Sequence, residues 1–423
     1  MEESADLTTV SRANSKQILT LTILVLGYMA FYGARANLSV STTSIIKEFA
    51  SSGFTKESLG AITSIGTLFY AIGKFFGGSF ADRLTGKASF LFGMASAALF
   101  TILMTILGPA ALMFLWSGNR FTQAMGWPGM VRVTGHWFPK SRFGTAMGIV
   151  SLSYLFGPFL SKMLYGQMFD AGMNWRQIFY FAAAGLIVMF VATIFLLKEA
   201  PDDHKDVDPT SAKPATQPPV EIFRRLFSNR LFWIVCILSF GFTLMRETFN
   251  NWTPTYLEEV AGLSKGDASR NAGLFDLFGG FSVLIAGFMS DRIGPKGRPI
   301  IISFGLAFTT IGLFILSQIT KESGANLTVF LIPAIAFVMI GPYSFLAGSL
   351  SLDMGGQKGG ATASGWIDGI GYFGGIISGW YIGSIAEKQG WTSAFTTIAI
   401  ACAITLVVAF YYQFSVSKTI ENK

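Results

Sequence analysis

Apolar residues in this chain gather into runs of about 20, the length a helix needs to cross a hydrocarbon core, parted by short breaks of Gly, Pro or charged residues. Twelve such windows are read, at 17–44, 58–80, 87–107, 110–130, 143–167, 176–198, 229–256, 270–290, 299–318, 326–350, 359–384 and 391–414. The pattern predicts an all-α membrane protein with twelve transmembrane helices. Residues 1–16 are polar and the first apolar run is long enough to span, so a retained N-terminal tail is expected rather than a cleaved signal.

One long polar stretch interrupts the rhythm. It runs from Glu199 to Asn229, is rich in Pro and acidic residues, and has a composition that resists packing into a core. It reads as a linker, 199–228, between two six-helix bundles at 17–198 and 229–414, with a short tail at 415–423.

Composition agrees with the pattern. The 423 residues are 51% hydrophobic and 13% charged, with a mean hydropathy of +0.51, whereas soluble domains carry about 25% charged residues. Cys236 and Cys402 both fall within predicted spans, so core packing is expected of them rather than a disulfide. Basic residues favour the cytoplasmic side in short loops. Arg83 and Lys87, then Arg132, Lys140 and Arg142, then Arg292, Lys296 and Arg298 all fall in loops on one side. With an even number of spans, both termini are expected in the cytoplasm. This bias accounts for the net charge of +7 without a nucleic-acid partner.

The two halves share one plan. "GSFADRLTGK" follows the second span and "GFMSDRIGPKGR" the eighth, which sets Asp82 and Asp291 209 residues apart. Arg35, in "YGARANLSVS", and Arg246, in "TLMRETFNNW", lie 211 apart. Gly157 and Gly374 are 217 apart, and Trp175 and Trp391 are 216 apart. Duplicated halves of this kind place a substrate site near the membrane midplane, at their interface.

The doubled loop, with Asp82 and Arg83 in one copy and Asp291 and Arg292 in the other, resembles the signature of the major facilitator superfamily. The resemblance covers essentially the whole chain and implies two pseudo-symmetric six-helix bundles with alternating access, these loops acting in the conformational switch. Solvated turns with topogenic charges are the plain alternative for the loops.

Arg35 and Arg246 sit inside apolar spans, where an arginine costs about 2.5–3.5 kcal/mol on insertion scales. A guanidinium stays charged and its donor fork matches carboxylate or phosphate, so two of them facing one cavity would clamp a dianion. Pairing with a neighbouring acid, or snorkelling to an interface, is the alternative.

"GWPGMVRVTGHWF" (126–138), "NWTPTYL" (251–257) and "YAIGKFFGG" (70–78) resemble the organophosphate:phosphate antiporter family. That resemblance implies that Arg35 and Arg246 bind phosphate, that Lys74 lies close by, and that Tyr28, Tyr32, Tyr70 and Tyr372 line the cavity. It also marks departures. Ala36 and Asn251 stand where the family commonly carries a lysine and an aspartate, and Ser153 where it carries a histidine. The only histidines, His136 and His204, fall in a predicted loop and the linker.

Lys162, Asp276, Asp368 and Arg120 are further charges within spans. Since the superfamily fold makes spans 5 and 8 neighbours, and likewise 2 and 11, Lys162 is expected to pair with Asp276 and Lys74 with Asp368.

The 47 glycines read as close helix packing or gating, with no nucleotide-binding loop among them. Neither a metal-ligand cluster nor a nucleophile with a base is found, so neither an enzyme nor a cofactor is expected. The resulting expectation is a monomeric carrier, integral to the cell membrane, that exchanges a small organic phosphate for inorganic phosphate. Two alternatives stay open: a proton-coupled symporter of sugar acids, which "RANLSVS" and Arg120 also resemble, and a transporter-like hexose-phosphate sensor.

Overall fold

The computed structural model describes residues 15–201, 224–320 and 325–421. Side chains of some residues inside these ranges, Asp82 and Asp291 among them, lie outside the described set, as do His204 and most of the 199–228 stretch.

The helices are α1 (Ser15–Phe49), α2 (Lys56–Arg83), α3 (Gly86–Ile106), α4 (Pro109–Gln123), α5 (Gly126–Trp137), α6 (Lys140–Asp170), α7 (Trp175–Leu196), α8 (Arg230–Glu259), α9 (Lys265–Gln318), α10 (Ala325–Ala347), α11 (Ser349–Lys388) and α12 (Gly390–Glu421). Each apolar window falls mainly on helical residues, and among the described residues nine helical stretches are long and apolar enough to cross a membrane.

Local sequence sets the breaks. Thr85 accepts from the Ala88 N–H at the start of α3, Asn174 and Gln177 form a capping box on α7, and Asn229 and Ser264 cap α8 and α9. Inside α9, Gly294 takes φ 63° and ψ −168° and bends the chain between the two windows that the helix contains.

Several boundaries differ from the sequence reading. The window 110–130 is divided between α4 and α5, because the Ala124 N–H reaches back to the carbonyls of Arg120 and Phe121 at 3.3 and 3.2 Å in a tightened turn. The segment 415–421, expected as a tail, continues α12, since a formed helix gains a hydrogen bond with each added residue. His136 lies in the last turn of α5 rather than in a loop. Both described ends of the linker are held: Leu226 is buried in the core, and Glu199 accepts from the Gly86 and Lys87 N–H groups at 2.9 and 2.7 Å.

Hydrogen bonds show which helix ends lie together. At one end Gln17 donates to the Trp137 carbonyl, the Trp137 indole donates to the Lys198 carbonyl, and Arg225 donates to the Gly355 carbonyl. This is the end where the described chain starts, and Tyr412, near the close of α12, lies there with Asp353 and Arg298. The opposite end carries the turns after α1, α6 and α8.

At that opposite end the repeat is visible in three dimensions. The Trp175 indole donates to Glu48 at 2.8 Å, and the Trp391 indole donates to Glu259 at 2.8 Å. Glu48 and Glu259 are 211 positions apart, the offset of the two arginines. Gly157 lets α6 approach Tyr32 and Met29 of α1, and Gly374 lets α11 approach Phe240 and Leu244 of α8, so the first and fifth spans of each half cross at a glycine.

Apolar packing follows the same division. One core cluster is built entirely from Leu226 onward, and two others entirely from residues up to Leu197. Side-chain burial therefore ties each half to itself, and the contacts between halves lie outside these buried clusters, the edge-on Phe156–Phe281 pair among them.

Candidate functional site

Arg35 lies midway along α1, with Tyr32 one helical turn and Tyr28 two turns before it on the same face. Its guanidinium carbon sits 4.6 Å from the ring centre of Tyr32, 4.9 Å from that of Tyr70 on α2 and 5.7 Å from that of Tyr28. Its Nε donates to Gln123 Oε1 at 2.6 Å. Gln123 in turn donates to Asn119 Oδ1 at 2.5 Å, and Asn119 donates to the Ala97 carbonyl and to Thr101, both at 3.0 Å. A polar relay thus runs from Arg35 through α4 to α3 and holds the guanidinium plane. Arg35 Nη2 is buried without a hydrogen-bond partner.

Across the halves, Arg246 of α8 lies over the Tyr343 ring at 5.1 Å and pairs through Nη2 with Glu247 Oε1 at 2.7 Å. Its Nε is the orphaned atom. Tyr32 lies within electrostatic range of both Arg35 and Arg246, which joins the two half-sites.

Between them lie the remaining charges. Lys74 Nζ is 3.5 Å from Asp368 Oδ2 and 4.8 Å from the ring centre of Tyr372, which itself packs edge-on against Tyr70 at 5.7 Å. Arg120 lies over the other side of the cluster, 4.5 Å from the Tyr70 ring centre, within range of Arg35 and Glu247. Cations held over aromatic faces gain about 0.5–2 kcal/mol each, which keeps them in place without neutralising them. Four cations, Arg35, Lys74, Arg120 and Arg246, face two carboxylates, Glu247 and Asp368, and leave the cluster at +2.

These groups lie in mid-bundle yet are partly solvent-accessible. Side-chain exposure is 26% for Arg246, 36% for Lys74 and 33% for Asp368, although each lies in mid-helix and faces other helices. The Lys162–Asp276 pair differs. Its ions are 2.7 Å apart with only 4% and 10% exposure, so it is a closed contact between α6 and α9.

Of the remaining residues singled out from the sequence, Arg83 is exposed at the end of α2 and Arg292 is exposed beside the Gly294 bend of α9, over the Phe288 ring at 4.2 Å. Asp82 and Asp291 lie outside the described side chains. Ala36 is buried, Asn251 donates to Ser378 at 3.3 Å, and Ser153 donates to the Val150 carbonyl, so none of the three departures carries a charge.

Sequence reasoning missed Glu247, Gln123 and Tyr343. Glu247 had a signal, as an acid adjoining a buried arginine inside an apolar span. Gln123 stands one turn from Arg120 in "NRFTQ". Tyr343 had none in a chain with 12 tyrosines and 41 phenylalanines.

The profile described as "Major Facilitator Superfamily" matches residues 24–379. The chain belongs to this superfamily. Over 430 aligned residues this facilitator is 27% identical to a protein of Chlamydia muridarum (strain MoPn / Nigg) named "Probable hexose phosphate transport protein", covering 93% of this chain and 90% of the relative. It is 23% identical to the "Glycerol-3-phosphate transporter" of Bacillus subtilis (strain 168), over 91% of this chain and 89% of that protein. A crystal structure of a bacterial homologue of the human lysosomal transporter Spinster, inward-facing and unoccupied, superposes with a TM-score of 0.76 at 17% identity. That match covers 96% of this chain and 98% of the other, and it attests the fold alone.

Proposed function

We propose that this facilitator exchanges a small phosphate ester for inorganic phosphate by alternating access, with the anion held between Arg35 and Arg246. One observation carries the reading: two repeat-related guanidinium groups, each keeping a buried N–H without a partner, lie in a partly exposed cluster of net charge +2 where the halves meet. A phosphate dianion matches that charge, and its oxygens fit the donor forks. Lys74 and the tyrosines Tyr28, Tyr32, Tyr70 and Tyr372 complete the walls. The relatives named for hexose phosphate and glycerol-3-phosphate support the same substrate class.

Alternating access draws support from how the halves touch. Away from the chain ends Lys56 pairs with Glu259 and Glu387 at 3.1 and 3.6 Å, Lys388 with Glu57 at 2.8 Å, and Arg270 with Asp170. Ion pairs in partial contact with solvent contribute about 0–1 kcal/mol each, so the seal is reversible, while the separate apolar cores let each half move as a unit. At the end that carries the chain termini, the described ion pairs Arg132–Glu199 and Arg298–Asp353 stay within a half. With both termini in the cytoplasm, as the basic loops indicate, the crevice opens inward in a multi-pass protein of the cell membrane.

Proteoliposomes preloaded with phosphate test the proposal. Labelled phosphate should exchange by counterflow, and phosphate should raise the melting temperature of the purified protein. Arg35→Ala and Arg246→Ala should each abolish both effects. Arg35→Lys keeps the charge but loses the fork and should weaken phosphate binding by about tenfold or more. A second reading, proton-coupled uptake of a sugar acid, is favoured by the loose 3.5 Å contact of Asp368 with Lys74, which leaves that carboxylate open to water. Uptake driven by a pH gradient without phosphate exchange would select it, and binding without flux would select a sensor.

A further inference from the structure

Glu247 has no part in the anion clamp described above, yet it occupies one jaw of it. Its Oε1 lies 2.7 Å from Arg246 Nη2, and its side chain is only 12% exposed. The stem is fixed as well as the head. A Cβ built on Gly375 of α11 would stand 3.2 Å from Glu247 Cγ and 3.2 Å from Thr67 Cγ2, so the stem lies against α11 close to α2 of the other half. Arg35, the opposite jaw, is paired with no acid among the described residues; its Nε donates to the neutral Gln123.

We infer that Glu247 is a built-in competitor of the transported anion: it holds Arg246 in the unloaded carrier, is displaced when a phosphate oxygen takes that place, and returns as the phosphate leaves. The inference rests on the proposed phosphate site and adds to it the group that sets affinity and release. A site of four cations with a single opposing acid would bind a dianion tightly and release it slowly. With Glu247 present, every binding event exchanges one oxyanion on Arg246 for another, which lowers affinity and gives the departing phosphate a successor. Carriers that must unload on each cycle are limited by release more often than by capture. Glu247 is thus a positioning and specificity residue: it sets the site's charge at +2, which suits dianions and disfavours more highly charged esters.

The test is titration of the full-length protein in detergent with inorganic phosphate by calorimetry, together with phosphate self-exchange in proteoliposomes. Glu247→Gln removes the charge and keeps the shape; Glu247→Asp keeps the charge but draws it back from Arg246. Both variants should bind phosphate about tenfold more tightly and exchange it more slowly, with a lower KM. In Glu247→Gln the preference should also shift toward pyrophosphate. Unfolding temperatures without ligand check that each variant is folded, and Glu247→Ala replaces either one that is not. Unchanged or weakened phosphate affinity in Glu247→Gln overturns the inference. Tightening in Glu247→Gln alone, with none in Glu247→Asp, also overturns it, because a general field effect rather than displacement would then be at work. Absence of phosphate binding in the unaltered protein is a separate result: it removes the phosphate site itself, and this role for Glu247 with it.

Discussion

At the level of single residues, charge inside the bundle comes in two physical states. Lys162 and Asp276 are enclosed and satisfy each other at 2.7 Å. Removing one partner of such a pair leaves an uncompensated buried ion and costs about 3–5 kcal/mol. Asp276→Asn should therefore lower the melting temperature sharply and stop transport, whereas Lys162→Asp combined with Asp276→Lys should recover part of both. Failure of the double exchange to recover either property would mean that the two side chains act separately. Arg35, Lys74, Arg120 and Arg246 are different, because each lies over an aromatic ring and all four are partly exposed. Aromatic faces hold a cation without consuming its hydrogen-bond donors, and those donors are what an anion requires.

At the level of elements, the termini end of the first half is organised around Glu199. Its carboxylate accepts from the first two N–H groups of α3 and faces Arg132 and His136 of α5 at 3.4 and 3.5 Å. Burial acts to raise the carboxyl's pKa, but hydrogen bonds from His136 and from the Lys87 and Gly86 N–H groups outweigh it and hold Glu199 below the ordinary carboxylate range. A carboxylate with a lowered folded pKa stabilises the fold at pH values above its unfolded pKa, and that stabilisation is lost as pH falls through the folded value. Glu199→Gln should therefore be less stable than the parent by about 1–2 kcal/mol near neutral pH, the size of a helix-capping contact. The gap in melting temperature should close as pH drops below the carboxylate range; a gap independent of pH would place the effect in packing instead.

For the molecule as a whole, the decisive feature is that the halves share polar and glycine contacts rather than an apolar core. Thr43 donates to Glu258 at 2.7 Å and Lys265 donates to Ser44 at 2.6 Å, beside the ion pairs of the same end. Gly60 of α2 and Gly379 of α11 meet so closely that a Cβ on either would fall on the other's carbonyl. Gly60→Val should therefore hold that end open. A cysteine placed at Ser44 would then react several-fold faster with a membrane-impermeant maleimide, and phosphate exchange would slow. The native Cys236 and Cys402 are buried and should not interfere. Unchanged labelling would mean that the glycine contact does not govern closure.

The sequence by itself determined which segments are helical and apolar, that Arg35 and Arg246 repeat at one offset, and that the chain resembles a phosphate-ester carrier. These properties are local or periodic: hydrophobic run length and repeat spacing survive without knowledge of contacts. The helix through 415–421 and the break between α4 and α5 were not legible, because helix ends depend on a few backbone hydrogen bonds that composition does not encode. Only the tertiary structure decided that Gln123 and Asn119 anchor Arg35, that Glu247 reaches back onto Arg246 with its stem against α11, and that Tyr343 joins the cluster. Those relations join residues from separate helices, or turn one side chain rather than another toward its neighbour. They arise from how the helices cross, which the order of residues along the chain does not state.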